Sequence, residues 1–173
     1  MAVANQVGNA EIPGRTLAGR YRLLRRVGEG GQAEVFVADD LQAGDRCAVK
    51  VYVAPSEGET ARLLGEFARL AQLGHRGVVK VRDLGRARER DRRPFMVTDF
   101  VPGPSLLETG PPDEEGLAAA ATDLADALAY LHGRGIVHGD VSAGNVRLAV
   151  GSSPTAMQAP VGLRSQAWLA PAR

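Results

Sequence analysis

Gly28-Glu29-Gly30-Gly31-Gln32-Ala33-Glu34-Val35-Phe36-Val37-Ala38 is the stretch on which the reading of this chain turns. A Gly-x-Gly run can open a helix beneath a dinucleotide, or it can turn a hairpin that lies over phosphates. The residues that follow decide between them. Glu34 to Ala38 reads as a strand, so a hairpin lid is preferred to a helix start. Glycines at Gly28, Gly30 and Gly31, with small Ala33, let backbone N–H groups approach phosphate oxygens without side-chain interference. Taken alone, a plain glycine-rich turn accounts for the run equally well.

Outward from that hairpin, Tyr21 to Val27 predicts the strand before it. Cys47 to Val53, alternating and β-branched, predicts a third strand after a turn-like Asp39 to Arg46. Leu63, Leu64, Phe67, Leu70 and Ala71 recur at helical spacing and predict one amphipathic helix ending near Gly74. Val78 to Leu84 and Phe95 to Val101 predict two more strands. Pro102-Gly103-Pro104 is a stiff connector. Asp113 is a candidate N-cap for a helix whose apolar stripe runs through Leu117, Ala121, Leu124, Leu128 and Leu131, ending at Gly133 or Gly135. The order of strands, helix, strands and helix excludes an alternating parallel sheet and predicts an α+β fold. Residues 1–19 lack periodicity and predict a flexible leader, with structure expected from about Arg20.

The chain has 173 residues and a formal net charge of +1, too weak a field for nucleic acid or an anionic membrane as the main partner. Arg86 to Arg93 is basic but interleaved with acids and lacks aromatic residues for base stacking, which predicts a solvated hairpin loop. No run of about 18 apolar residues occurs and Met1 to Arg15 lacks a signal-peptide order, so a cytoplasmic place is expected. The single cysteine, Cys47, sits in an apolar strand and reads as a small buried hydrophobe. Basic residues are almost all arginine, with Lys50 and Lys80 the only lysines.

Period-two alternation puts Ala48, Lys50 and Tyr52 on one face of the third strand and Val49, Val51 and Val53 on the other. A lysine in such a strand needs an anionic partner, and Glu66 on the following helix is the obvious one. Because a buried pair is a poor stabiliser, gripping phosphate is the better reason for Lys50, against the plainer reading of a lysine snorkelling at a sheet edge. In Ile136-Val137-His138-Gly139-Asp140-Val141-Ser142-Ala143-Gly144-Asn145-Val146, an acid is followed five residues later by an amide. Asp140 could accept the proton of an attacking hydroxyl and Asn145 could offer its side-chain oxygen to magnesium. His138 reads as a residue that orders backbone.

Together, the glycine-rich hairpin, Ala48-Val49-Lys50, Glu66 nine residues before His75, Val97-Thr98-Asp99-Phe100-Val101-Pro102-Gly103, and His138-Gly139-Asp140 through Asn145 resemble bacterial protein kinases of the eukaryotic serine/threonine type. The resemblance runs from about Arg20 to Leu148. It implies a two-lobed fold: an N-lobe over 20–101 with a five-stranded antiparallel sheet and one helix, and an incomplete helical C-lobe over 102–148. It also implies ATP and magnesium as cofactors and a protein as phospho-acceptor. By this resemblance Lys50 holds the α- and β-phosphates and pairs with Glu66, Val35 and Ala48 pack on adenine, and Thr98 is the gatekeeper. The backbones of Asp99 and Val101 then meet the adenine edge.

Departures from the family pattern shape the functional expectation. Gly139 stands where many kinases have arginine, and Ser142 where a lysine usually lies near the γ-phosphate. His-Gly-Asp also resembles aminoglycoside and choline phosphotransferases, which keeps a small-molecule kinase as an alternative. The Asp-Phe-Gly motif expected near Gln158-Ala159-Pro160 is absent, and no Asp or Glu follows Asp140. Residues 149–173 are therefore expected to be an atypical, poorly ordered tail, through truncation or a shifted reading frame. A weakly active or catalytically silent nucleotide- or partner-binding module follows, with self-association through exposed C-lobe surface.

Overall fold

The computed structural model describes residues 14–30, 33–53, 55–87, 93–110, 112–148 and 155–157. Strands β1 (Thr16–Leu17), β2 (Tyr21–Gly30), β3 (Ala33–Asp40), β4 (Asp45–Tyr52), β5 (Val81–Arg86) and β6 (Pro94–Asp99) form one antiparallel sheet in the order β1-β2-β3-β4-β6-β5. Five of these are the expected strands. The short β1 adds an edge to them, pairing Leu17 with Tyr21, so structure begins before Arg20. The signal was too short to read: two residues, of which only Leu17 is buried.

Alternation along the strands divides the core in two. Leu23, Phe36, Cys47, Val49, Val51, Phe95 and Val97 pack on one face, with Tyr21 set edge-on to Phe95 at 5.7 Å. Tyr52 and Met96 pack on the other with Leu63 and Leu70 of helix α1 (Glu57–Leu70) and Leu131 of helix α3 (Glu114–His132). Each such side chain contributes roughly 1.5–3 kcal/mol by leaving water. Buried Asp40 closes the β3–β4 turn. Arg20 donates to both its oxygens at 2.7 Å, which holds the carboxyl down to about 2 against the opposing cost of burial.

Helix α1 starts at a reciprocal cap, Ser56 with Glu59, and stops at Leu70, short of Gly74. It buries a narrow face, Leu63, Phe67 and Leu70, so Leu64 stays 54% exposed despite its place in the expected stripe. The side chain of Asp113 caps α3 by accepting the Gly116 N–H at 2.9 Å, and the helix ends at Gly133. Its buried seam is Ala120, Ala127 and Leu131, with Leu124 and Leu128 half-buried. Leu117 and Ala121 lie exposed, a correction to the expected stripe.

Helix α2 (Leu106–Thr109), unexpected from the sequence, follows the Pro102-Gly103-Pro104 connector with a second reciprocal cap, Ser105 with Glu108. A 3-10 turn (Ala143–Asn145) leads into β7 (Val146–Leu148), which pairs with β8 (Thr155–Met157). This strand is an exception to the aperiodic reading of 149–173, most of which lies outside the described residues. The two parts of the chain meet where the loop after α1 docks on α3. There the Gly74 N–H donates to the Tyr130 hydroxyl at 2.9 Å, His75 stacks on the Tyr130 ring, and Arg76 pairs with Asp123.

Candidate nucleotide and phosphoryl-transfer site

The glycine-rich run continues β2 into β3, with Gly28 across from Val35 and Gly30 across from Ala33. A strand follows the glycines, so the hairpin expectation holds; Gly31 and the Asp-Phe-Gly position near 158–160 lie outside the described residues. Register then carries the site across the sheet. Val35 pairs with Lys50 and Lys50 with Met96; one step along, Val37 pairs with Ala48 and Ala48 with Thr98. Val35, Ala48, Lys50 and Thr98 therefore share one face, all half-buried, while Cys47, Val49 and Val51 fill the opposite core.

Helix α1 places half-buried Glu66 on that face, and the loop from His138 to Asn145 brings Asp140 to it. The Lys50 ammonium lies 5.5 Å from the centre of the Tyr52 ring. Burial pulls its pKa below the lysine range, opposed by attraction to Glu66 and Asp140. Burial likewise pushes Glu66 up, opposed by Arg69 and Lys50. For both groups burial outweighs the attraction of the opposite charge. The buried Tyr52 hydroxyl, with no hydrogen-bond partner among the described residues, sits in the same neighbourhood, its pKa raised by burial and then by Glu66.

At the exit from β6, the Thr98 hydroxyl donates to the Asp99 carbonyl at 3.3 Å, and the Asp99 N–H donates to the Lys80 carbonyl at 2.9 Å. The Asp99 N–H is thus engaged on the β5 side, while its carbonyl, which accepts from Thr98, keeps a second lone pair. Val101 follows in irregular, half-exposed backbone.

In the loop, His138 is buried and its Nδ1 accepts the Asp140 N–H at 3.3 Å, the backbone-ordering role expected of it. Gly139 has φ +72°, a region that favours glycine. The Asn145 amide nitrogen donates to the Asp140 carbonyl at 2.9 Å and to its carboxylate at 3.0 Å. This fixes the carboxylate and leaves the amide oxygen for a cation. That oxygen fits magnesium as a neutral donor, where the ion is normally held by one or two carboxylates plus substrate phosphates. Among the described residues no group of three His, Cys, Asp or Glu side chains is placed to hold a metal.

Tyr52, set on the Lys50 face by strand alternation, shares the Lys50 neighbourhood. Sequence reasoning missed two residues here. Arg147 donates to the Gly103 carbonyl at 2.7 Å, tying β7 to the connector after β6. Arg82 reaches the Asp99 carboxylate. No spacing rule points to them, because their partners lie 44 and 17 residues away.

Residues 21–152 match the protein kinase domain family. The chain is 42% identical over 142 residues to the DNA damage-responsive serine/threonine-protein kinase RqkA of Deinococcus radiodurans, a match covering 79% of this chain and 21% of that protein. It is 30% identical over 141 residues to the probable serine/threonine-protein kinase PknB of Lactococcus lactis, covering 77% of this chain and 22% of that one. Among solved structures it is similar to the PknI kinase domain of Mycobacterium tuberculosis, with a TM-score of 0.68, 28% identity, and coverage of 86% of this chain and 62% of that domain. The chain thus spans about a fifth of the length of these curated relatives.

Proposed function

The chain belongs to the protein kinase family, among the bacterial serine/threonine kinases of the eukaryotic type, and on that premise we propose that it binds Mg-ATP on the sheet face of Val35, Ala48, Lys50 and Thr98. The observation that carries this reading is the register that sets Val35, Ala48, Lys50 and Thr98 on one half-buried sheet face, with the charges of Glu66 and Asp140 acting on Lys50. Lys50 grips the α- and β-phosphates. Val35 and Ala48 cover the adenine, and the Asp99 carbonyl with the Val101 backbone takes its edge. The glycine backbone from Gly28 to Ala33 lies over the phosphates.

Asp140 accepts the proton of an acceptor hydroxyl, held in orientation by Asn145 and, through its backbone, by His138. Magnesium, when bound, neutralises charge on the phosphates. Serine at Ser142 removes one preorganised charge, which costs about 10²-fold in rate by analogy with other electrostatic stabilisers. With no acid after Asp140, the 173-residue chain by itself transfers phosphate far below the roughly 1–100 s⁻¹ usual for kinases. The absent acid also favours the second reading, a module that holds nucleotide or a partner protein and transfers nothing. The β2–β3 hairpin and the family match weigh against a small-molecule phosphotransferase.

No helix among the described residues is long and apolar enough to cross a membrane; we place the chain in the cytoplasm. Leu107, 73% exposed, with Leu117, Val137 and Val141, offers apolar surface for self-association, so the chain is first sedimented. Single-turnover transfer from labelled ATP is then measured against Asp140→Asn. A slow transfer lost in the variant is expected, no transfer in either selects the silent module, and ordinary kinase turnover refutes the slow-transfer reading.

A further inference from the structure

The strand order leaves β6 between β4 and β5, and the chain leaves the sheet at Asp99, the last residue of β6. One side chain spans all three strands at that exit. Arg82, on β5, donates from Nε to Asp99 Oδ1 at 2.5 Å. From Nη1 and Nη2 it donates to the two oxygens of Asp45, the first residue of β4, at 2.8 and 2.9 Å. The guanidinium therefore reaches over the end of β6, catching its last carboxylate on the way to a strand that is not its ladder neighbour. The Asp99 backbone is held from the same side by its N–H to the Lys80 carbonyl.

We infer that Arg82 is a positioning residue for the nucleotide base, fixing the direction in which the Asp99 carbonyl and the connector after it present themselves. This rests on the reading that Asp99 and Val101 meet the adenine edge. Magnitude separates the role from simple stabilisation. An exposed ion pair contributes about 0–1 kcal/mol, whereas a planar fork on two carboxylates fixes orientation as well as distance. Hydrogen bonds to a base lose strength steeply with misalignment, so orientation is what base recognition requires.

The other sheet pairs differ in kind. Arg22 with Asp39 and Arg26 with Glu34 join β2 to β3, which their own backbone ladder already holds together. Arg82, 23% exposed, joins strands that only β6 connects. Lysine, a point charge, cannot reproduce the three-way contact.

The test measures the affinity of the purified 173-residue chain for ATP, adenosine and inorganic tripolyphosphate by titration calorimetry. Arg82→Gln is expected to weaken ATP and adenosine by the same factor, about tenfold, or roughly 1.4 kcal/mol, and to leave tripolyphosphate unchanged. Arg82→Lys should fail to restore it. Asp45→Asn, which keeps the Asp99 contact, should show a smaller loss in the same direction, and Arg22→Gln none. An equal loss for tripolyphosphate, unchanged adenosine affinity, or a matching effect of Arg22→Gln would each overturn the assignment. A wild-type chain that binds no ATP refutes the nucleotide reading itself, and this inference with it, before any variant is compared.

Discussion

On the sheet, Lys50 stands between Val35 and Met96 in a paired register, with buried residues on both sides of it in sequence. In the loop, Asp140 is exposed and is held by two hydrogen bonds from one amide and by a backbone bond to His138. The sheet side is thus set by packing. A change there is felt as volume and as desolvated charge, and spreads through the core. The loop side is set by local hydrogen bonds in contact with water, so a change there stays local. Two halves of one site have different tolerances because different forces place them.

The largest effect should come from overfilling the sheet. A Cβ at Gly85 would clash with the tip of the Phe95 ring, which is fully buried and packed against Tyr21, so the core must shift. Gly85→Ala is expected to lower unfolding free energy by about 1–3 kcal/mol in urea titration. ATP affinity should fall with it. An unchanged midpoint would break the contrast at its sheet end.

Next in size is the removal of charge without volume. Lys50→Met should weaken ATP about tenfold, roughly 1.4 kcal/mol, and leave secondary structure intact. The pH dependence follows from the depressed pKa. Phosphate favours the charged lysine, so affinity is full below the pKa of the free chain and is lost as pH rises through it, a fall that begins below the ordinary 10.5. The variant should bind weakly and without that fall. It should also be the more thermally stable protein below the window, since folding no longer buries a disfavoured charge. A variant keeping the wild-type pH profile would remove Lys50 from the phosphate site.

The smallest effect belongs to the loop. Gly139 has φ +72° and, apart from its chain neighbours, no atom of the described residues within 4 Å of an added Cβ, so Gly139→Ala meets mainly torsional cost, about 1 kcal/mol. ATP affinity should be unchanged, and amide exchange should quicken only around 138–145. Exchange that quickens across the sheet as well would show that loop and sheet are one unit.

What the sequence discloses follows the same division. Strands β2 to β6 and the faces of Ala48, Lys50 and Tyr52 were legible because period-two alternation and burial are written residue by residue. The Asp113 cap was legible for the same local reason. Helix α2 carries a cue in Ser105 and Glu108, three residues apart, but its four residues are too few to show a helical period. The seam of α3 was misplaced because alanines do the packing that leucines advertise. Arg82 was illegible: an arginine in a strand says nothing about carboxylates 17 and 37 residues away.

The docking of Tyr130 on Gly74 and His75 has a meaning in time. Strands β2, β3 and β4 need only near neighbours, whereas this joint links residues more than 50 apart in the chain. During synthesis the sheet's last strand is complete about 30 residues before Tyr130 is made, a delay of a few seconds at roughly 5–20 residues per second. For that interval Leu63, Leu70 and Met96 have a sheet and one helix to cover them, but not Leu131. The nascent chain therefore passes through an open-sided stage whose exposed surface is the one that α3 later seals.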